Sequence, residues 1–345
     1  MKILTLRGIL LFAFGILCLG KSMAQDIHFS QFSETPLLRN PALAGLFSGD
    51  LRIQAVYRNQ WNSVTVPYQT SSINAEYKLP VGNGDDFLTI GGAILYDKAG
   101  TIALTSTNVS PVLNYHKSLS ADRNMYLSAG FAAGIVQKKL DWSKITTNSQ
   151  FNGSDYDATL GNGETNLNNN YLYFDGSAGL SFNAQVTDNP DNNLYFGIAY
   201  NHFNQSAKAS FYGNSDVKLI PKWVFSAGLK MSVNDYAFVT FHADHSTQGP
   251  FSETIGGLLY SLKLDDPELP HYVISGGGFL RWDDAFIPVV KLEISPLTIA
   301  LSYDVNVSQL KAASQSKGGF ELSLSYQKFI DLNSSSREAV RCPRF

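Results

Sequence analysis

The sequence FELSLSYQ, at Phe320–Gln327, decides the fold because it alternates over its whole length. Its apolar or aromatic positions are Phe320, Leu322, Leu324 and Tyr326, and its polar positions are Glu321, Ser323, Ser325 and Gln327. A period of two residues predicts a β-strand with one apolar face and one polar face. In a membrane barrel the apolar face meets lipid, whereas in a soluble sandwich it lines the core. The number and the length of such strands must separate the two architectures.

The same alternation recurs from residue 51 onward. The run at 172–186 places apolar side chains on its even positions over about 15 residues, with Gly176 as the one gap. Strands of soluble proteins average roughly 5–6 residues, so strands of this length favour a membrane barrel. We therefore predict an all-β fold, a transmembrane antiparallel β-barrel of about 14 strands, an even number as in bacterial barrels. The predicted strands are 51–59, 69–79, 87–97, 106–117, 124–138, 171–187, 192–203, 222–233, 235–246, 252–263, 270–282, 285–295, 297–305 and 318–328.

The predicted connections fall into a short set and a long set on opposite sides of the barrel. The short ones include 118–123, 188–191, 233–235 and 295–296, and the long polar ones are 139–170, 204–221 and 306–317. Outer-membrane barrels keep short turns in the periplasm and long loops outside, so we expect the long set at the cell surface. The turn at 283–284 is a short exception on the long side. The loop at 143–170 is compatible with a solvated loop and with a contact surface for an exported partner.

Residues 1–24 have the pattern of a signal peptide for Sec export. Lys2 and Arg7 precede an apolar run at 9–19, and Ser22-Met23-Ala24 forms a small-x-small cleavage site before Gln25. The apolar run is short of the roughly 20 residues that a membrane helix needs. Lipoprotein processing at Cys18 is disfavoured because Leu17 precedes it.

Composition agrees with an exported barrel. Charged residues are 16% and aromatics 12% of the chain, and no later run approaches an apolar 20-mer. In a bilayer the backbone groups must pair internally, and a closed barrel is the only solution without helices. Removing the signal leaves 23 of the 26 basic residues against 29 acidic ones, a net charge of −6. With no basic block, nucleic acid is not an expected partner.

The segment at 25–50 differs from the rest of the mature chain because it does not alternate. Its apolar residues, which include Phe29, Phe32 and Phe47, are too numerous for a free tail. We predict a non-strand, plug-like segment at the lumen or the periplasmic mouth, followed by a barrel at 51–328 and a periplasmic tail at 329–345. The N-terminus and the tail are both expected on the periplasmic side.

The sequence holds little that resembles a catalytic or metal site. It has no phosphate-binding loop, no cysteine-based zinc spacing and no nucleophile elbow. The densest polar cluster puts His242, Asp244 and Ser246 on one face of a strand, as expected for a stripe that faces the lumen. The acidic pairs at 265–266 and 283–284 could hold calcium, but turn chemistry also explains them. We therefore predict no enzyme, cofactor or metal.

Five short motifs carry a resemblance to a known family. They are QDIHFSQF at 25–32, NPALAG at 40–45, YRNQW at 57–61, PYQTSS at 67–72 and CPRF at 342–345. On these motifs the chain resembles the PorP/SprF family of Bacteroidetes outer-membrane proteins, over essentially the whole mature sequence. The N-terminal motifs are the specific ones, since the strands alone would match any barrel.

The resemblance implies a part in type IX secretion and, in gliding bacteria, in the export of surface adhesins. Partners would be outer-membrane lipid, secretion components and a secreted protein with a C-terminal sorting domain. The motifs nominate partner-binding residues, namely His28, Phe29, Phe32, Asn40, Pro41, Arg58, Trp61, Cys342, Pro343, Arg344 and Phe345. Two alternatives stay open at this point, an outer-membrane channel or transporter for a small solute and a barrel enzyme on the His242 stripe.

Overall fold

The computed structural model describes residues 26–61, 66–82, 84–164, 168–206, 210–212, 218–308 and 317–330. The predicted signal peptide, the cleavage site before Gln25 and the predicted partner-binding residues of the tail lie outside these ranges. Those tail residues are Cys342, Pro343, Arg344 and Phe345.

Within these described ranges, fourteen antiparallel strands close into one barrel, in which each strand pairs with its neighbours in sequence and β1 pairs with β14. Each predicted strand overlaps one observed strand, so the predicted fold class is confirmed. The strands are β1 Leu51–Gln60, β2 Tyr68–Pro80, β3 Phe87–Ala99, β4 Leu104–Ser120, β5 Met125–Lys139, β6 Asn170–Gln185, β7 Asn193–Asn201, β8 Lys222–Asn234, β9 Ala237–Gln248, β10 Phe251–Lys263, β11 Tyr272–Arg281, β12 Ala285–Ile294, β13 Leu297–Asn306 and β14 Lys317–Lys328.

The alternation in sequence becomes an inside and an outside. On β14, Phe320 and Leu324 are exposed by 42% and 46%, whereas Glu321 and Ser323 are exposed by 1% and 3%. The exposed apolar positions form the outer surface, where lipid replaces water, and the polar positions line the lumen. Among the described residues, no helix is both long enough and apolar enough to cross a membrane.

The connections define two ends of the barrel, which we name the turn end and the long-loop end. Connections at the turn end are 81–86, 121–124, 186–192, 235–236, 264–271 and 295–296; those at the long-loop end are 61–67, 100–103, 140–169, 202–221, 249–250, 282–284 and 307–316. The long-loop end also carries short connections at 100–103 and 249–250, beyond the expected exception at 283–284. Backbone with positive φ at Gly100, Gly249 and Asp283 closes these tight turns.

The helical segments among the described residues are short. Inside the barrel they are the 3-10 turn Phe32–Glu34, the helix α1 Pro36–Arg39 and the 3-10 turn Pro41–Leu43. In the loop between β5 and β6 they are the 3-10 turns Trp142–Lys144 and Asn148–Gln150.

Candidate functional site

The segment Asp26–Gly49, which we name the lumen segment, runs through the barrel from the long-loop end to the turn end. At its start, Asp26 Oδ2 lies 2.7 Å from Nε2 of His202, which directly follows β7 at the long-loop end. Just beyond its other end, the backbone N–H of Asp50 donates to the carbonyl of Lys328 at 3.0 Å, at the turn end. The predicted non-strand segment therefore lies in the lumen.

Its direction differs from the sequence expectation. We expected the N-terminus on the side of the short turns, yet Asp26 lies at the opposite end. The physical reason is a group of complementary charges: His202 and Lys222 lie within 2.7 Å and 4.0 Å of the Asp26 carboxylate. His202 also contacts Asp175 at 2.8 Å.

These contacts hold His202 in its charged form. Burial opposes its protonation, but hydrogen bonds to Asp175 and Asp26 outweigh that effect and raise the pKa of His202 to about 9. For Asp26 burial acts in the other direction and favours a higher pKa, but His202 and Lys222 lower the pKa of this carboxyl well below its usual value. The first residue of the lumen segment is thus anchored by ion pairs.

Short local turns give the lumen segment its path. Pro36 and Pro41 each begin a helical turn, where their missing N–H removes no hydrogen bond. The side chain of Asn40 caps the second of these turns by accepting from the backbone N–H of Ala42 at 2.8 Å. Turns this short leave most backbone groups unpaired, and buried backbone groups need partners. The inward side chains of the barrel supply many of them.

Near the long-loop end, one carboxylate holds two backbone N–H groups. Glu321 accepts from the N–H of Ser30 at 2.8 Å and from the N–H of Gln31 at 2.7 Å. The same carboxylate lies 3.3 Å from Arg58, which also pairs with Asp304 at 2.9 Å. All of these groups are buried, so each charge depends on the others for its compensation.

The middle of the lumen segment combines ion pairs with an apolar cluster. Arg39 pairs with Asp244 at 2.6 Å, and Glu34 pairs with Lys291 at 2.9 Å. Arg39 lies 5.2 Å from the ring of Phe32, which packs edge-on against Phe279 at a centroid distance of 5.1 Å. The cluster around these two rings also contains Ile255, Leu259, Ala285, Ile287 and Val289.

The NPALAG motif at 40–45 lies against β4, β5 and β6. Asn114 donates to the carbonyls of Ala42 and Ala44 at 2.9 Å and 2.7 Å, and Ser181 donates to the carbonyl of Ala42 at 2.7 Å. Gly130 of β5 faces the same backbone, and a Cβ there would lie 2.4 Å from the nitrogen of Ala42. The motif therefore needs both polar partners and a strand without a side chain.

At the turn end, two cationic side chains pack against the last part of the lumen segment. The ring of Phe47 lies 4.5 Å from the guanidinium of Arg52 and 4.1 Å from the ammonium of Lys78. Arg52 is in turn paired with Glu76 at 2.6 Å, and Glu76 also accepts from the backbone N–H of Gly45 at 2.7 Å. Phe47 is fully buried, so cation–π contacts add to the burial of its ring.

Every strand of the barrel contacts the lumen segment. One contacting residue from each strand, in order from β1 to β14, is Gln54, Glu76, Thr89, Asn114, Gly130, Ser181, Asn201, Lys222, Asp244, Glu253, Arg281, Lys291, Ser302 and Glu321. The segment is thus an interior core of the barrel rather than a flap at one mouth.

Above the lumen segment, a cavity of about 660 Å³ opens at the long-loop end. We name it the vestibule. Its floor is Asp26–His28. Its walls come from β1, β2 and β3 with Trp61 on one side, and from β10, β11 and β13 with Trp282 and Asp284 on the other. The wall residues are Gln60, Trp61, Tyr68, Thr70, Asp97, Ala99, Ser252, Glu253, Arg281, Trp282, Asp284, Asp304 and Asn306.

The structure separates the predicted partner-binding residues into two groups. Five of them are buried around the lumen segment, namely Phe29, Phe32, Asn40, Pro41 and Arg58. His28 and Trp61 line the vestibule, where His28 lies 3.2 Å from Glu253. Whether any of these residues binds a partner stays a prediction, as it does for the tail residues.

The remaining polar candidates have structural partners. Asp244 pairs with Arg39, and Nδ1 of His242 lies 3.2 Å from the Tyr195 hydroxyl. The acidic pair at 265–266 accepts backbone hydrogen bonds within its own turn. The sequence analysis did not identify Glu321 and Asp304 as residues that hold the lumen segment and its neighbour Arg58 in place. The signal that could have identified them is a charged residue at a strand position that faces the lumen.

Comparison with known proteins gives one family. The family model for "Type IX secretion system membrane protein PorP/SprF" matches residues 21–326. No curated protein matches the chain.

The solved structures that match this chain do so at low sequence identity. The toluene transporter TbuX of Ralstonia pickettii is 11% identical, with a TM-score of 0.49, over 89% of this chain and 96% of that one. A FadL homologue of Pseudomonas aeruginosa is 9% identical, with a TM-score of 0.49, over 85% and 94%. Likenesses of this size do not extend the substrates of those proteins to this chain.

Proposed function

Because this chain belongs to the PorP/SprF family of type IX secretion system membrane proteins, we propose that it supports the export or surface anchoring of one cognate secreted protein. The chain is an outer-membrane barrel, and in this proposal it acts as a scaffold and not as an enzyme. The partner carries a C-terminal sorting domain and is a surface protein such as a gliding adhesin of a Bacteroidetes bacterium. The scaffold itself reaches the membrane after Sec export.

The observation that carries the proposal is the filled lumen. A solute channel needs a continuous polar path, whereas here buried ion pairs and the Phe32 cluster cross the interior together with the lumen segment. Opening a path would require breaking several buried charge pairs, each costing about 3–5 kcal/mol when one partner is lost. A barrel with a fixed core is suited to presenting a surface to a protein.

The absence of a catalytic role is part of the same proposal. The polar stripe at His242 and Asp244 is not free to serve a hydrolase, because Asp244 pairs with Arg39 and His242 packs against Phe32. A general base must be free to reach the proton that it removes.

Orientation is tested by cysteine labelling in intact cells, in a Cys342→Ser background. Ile27→Cys reports the long-loop end and Val81→Cys reports the turn end; the two side chains are matched in exposure, at 37% and 38%. With the long loops outside, a membrane-impermeant maleimide modifies Ile27→Cys and spares Val81→Cys until the outer membrane is permeabilised. The reverse pattern would contradict the orientation on which surface anchoring depends.

The partner is tested by deletion and by co-purification under mild detergent. We expect the deletion strain to lose export of one secreted protein, and we expect the same protein to co-purify with the barrel. Normal export of all sorting-domain proteins would refute the proposal. Steady conductance of the purified barrel in planar bilayers, combined with normal export, would instead support a solute channel.

A further inference from the structure

The vestibule has the size of a binding site. Its volume of about 660 Å³ lies within the roughly 300–1,000 Å³ typical of ligand pockets. Its floor is held in place from below, since Ser30 and Gln31 are fixed by Glu321 two residues after His28. The floor of the cavity is therefore anchored to the barrel wall.

Most of the charge of the vestibule is already paired. Among the described residues, five carboxylates, one arginine and one histidine line it, and four of the carboxylates lie in ion pairs, namely Asp26, Glu253, Asp284 and Asp304. The arginine, Arg281, is already committed, because its NH1 lies 2.8 Å from Asp284 and 3.3 Å from Asp304. Asp97 accepts a hydrogen bond from Thr70 at 2.7 Å and has no cation in ion-pair contact among the described residues. Asp97 is thus the lining carboxylate that can pair with an incoming cation, and its attraction for that cation is stronger in a concave site than on an open surface.

Aromatic rings share the vestibule with these carboxylates. Trp61 and Tyr68 pack edge-to-face with ring centroids 5.3 Å apart, and both line the cavity. Trp282 lines the facing wall and is 69% exposed, the most open of the large aromatic side chains there. Rings beside carboxylates attract cations through their faces, and a planar guanidinium also stacks on them.

We propose that the vestibule binds an arginine-bearing, extended polypeptide segment of the secreted partner. One guanidinium pairs with the Asp97 carboxylate and stacks against the Trp61–Tyr68 pair on the same side of the vestibule, and a second guanidinium stacks against Trp282 of the facing wall. Guanidinium fits better than ammonium because it offers five donors in one plane for carboxylates and a flat face for rings. This inference rests on the proposed function for the identity of the partner and for the outward orientation of the long-loop end.

The test is calorimetric titration of the purified full-length barrel in uncharged detergent with two synthetic peptides. One is acetyl-Gly-Arg-Gly-Arg-Gly-amide, and the other replaces both arginines by citrulline, which keeps the shape and removes the charge. We expect the arginine peptide to bind at least about tenfold more tightly, a difference of about 1.4 kcal/mol. We also expect its affinity to fall as salt is raised.

Three variants locate the site. Asp97→Asn keeps an acceptor for Thr70 and removes the charge, and Trp282→Ala removes an exposed ring, so neither disturbs the buried core. Each substitution should lower the affinity for the arginine peptide about tenfold. The matched control is Asp157→Asn, a half-buried carboxylate of the β5–β6 loop that also accepts from a Thr hydroxyl; it lies at the same end but outside the vestibule, and its substitution should leave binding unchanged.

Several results would overturn the inference. These are equal binding of the two peptides, no binding of either at about 1 mM, unchanged binding in both vestibule variants, or tighter binding of the neutral sugar maltohexaose. Each leaves the proposed function standing, because that is judged by export in the deletion strain. Conversely, normal export in the deletion strain refutes the proposed function whatever the peptides do.

Discussion

Removing the Glu321 carboxylate tests whether the barrel wall holds the lumen segment. Glu321→Ala leaves the N–H groups of Ser30 and Gln31 without their acceptor and takes one of two carboxylates from Arg58. Hydrogen bonds to a charged group contribute about 1.5–3 kcal/mol each, and loss of one partner of a buried charge pair costs about 3–5 kcal/mol. The two figures describe overlapping effects, so we expect the docked state to lose about 3–5 kcal/mol.

The size of the effect can be graded by a second substitution. Glu321→Gln keeps the shape and one acceptor oxygen but sets an NH2 group against one backbone donor. Its expected cost is that of one such hydrogen bond, about 1.5–3 kcal/mol. At 1.4 kcal/mol for each factor of ten, undocking becomes roughly 10- to 100-fold more frequent in Glu321→Gln and at least 100-fold more frequent in Glu321→Ala.

Hydrogen exchange measured by mass spectrometry reads these populations. The amides of a peptide covering 29–35 exchange only when the lumen segment leaves its site, so their rates rise by the factors above. The control is Glu293→Ala, a lumen-facing glutamate of β12 that has no hydrogen bond with 26–49 among the described residues. Resistance of each variant to unfolding in unheated SDS establishes that the barrel is closed. Equal exchange rates in Glu321→Ala and Glu293→Ala would refute the reasoning.

Two further predictions concern the space and the charges around the lumen segment. In Gly179→Ala, the new Cβ would lie 1.9 Å from the Asn40 amide oxygen, so exchange of 40–44 should accelerate, whereas Gly276→Ala, which meets open space, should leave exchange unchanged. The second prediction concerns pH, because folding raises the pKa of His202 from 6.5 to about 9. Protonated His202 therefore stabilises the folded state by up to about 3 kcal/mol. This contribution is complete below pH 6.5 and is lost as pH rises through about 9. Urea unfolding of the wild type and His202→Gln should therefore differ most at about pH 6 and converge by about pH 10; a constant difference would contradict the assigned charge.

The strands could be predicted from sequence because each carries its own evidence. The period of two at Phe320–Gln327 sets which residues face lipid, and closure of β14 on β1 requires no further information than an even strand count. The lumen stripe at His242 and Asp244 followed from the same parity. These are local patterns, and the barrel repeats them.

The path of the lumen segment could not be predicted, since it depends on contacts across almost the whole chain. Gln31 and Glu321 are 290 positions apart, and the residue type of one does not predict a contact with the other. Two signals were present in the sequence. Inward positions carried more charge than a strand needs, as at Arg58 and Glu321, and inward glycines such as Gly130 marked a wall that something approaches closely.

The lumen segment and the vestibule are parts of one mechanical unit. Asp26–His28 form the floor of the vestibule. Ser30 and Gln31, which follow this floor directly in the chain after Phe29, are held by hydrogen bonds to Glu321. A ligand that contacts the floor binds more tightly when the segment is docked. By linkage it must then stabilise docking by the same factor, whatever that factor is. A secreted partner seated in the vestibule would therefore lock the lumen closed beneath it, which is the behaviour of an anchor and the opposite of what a gated channel needs.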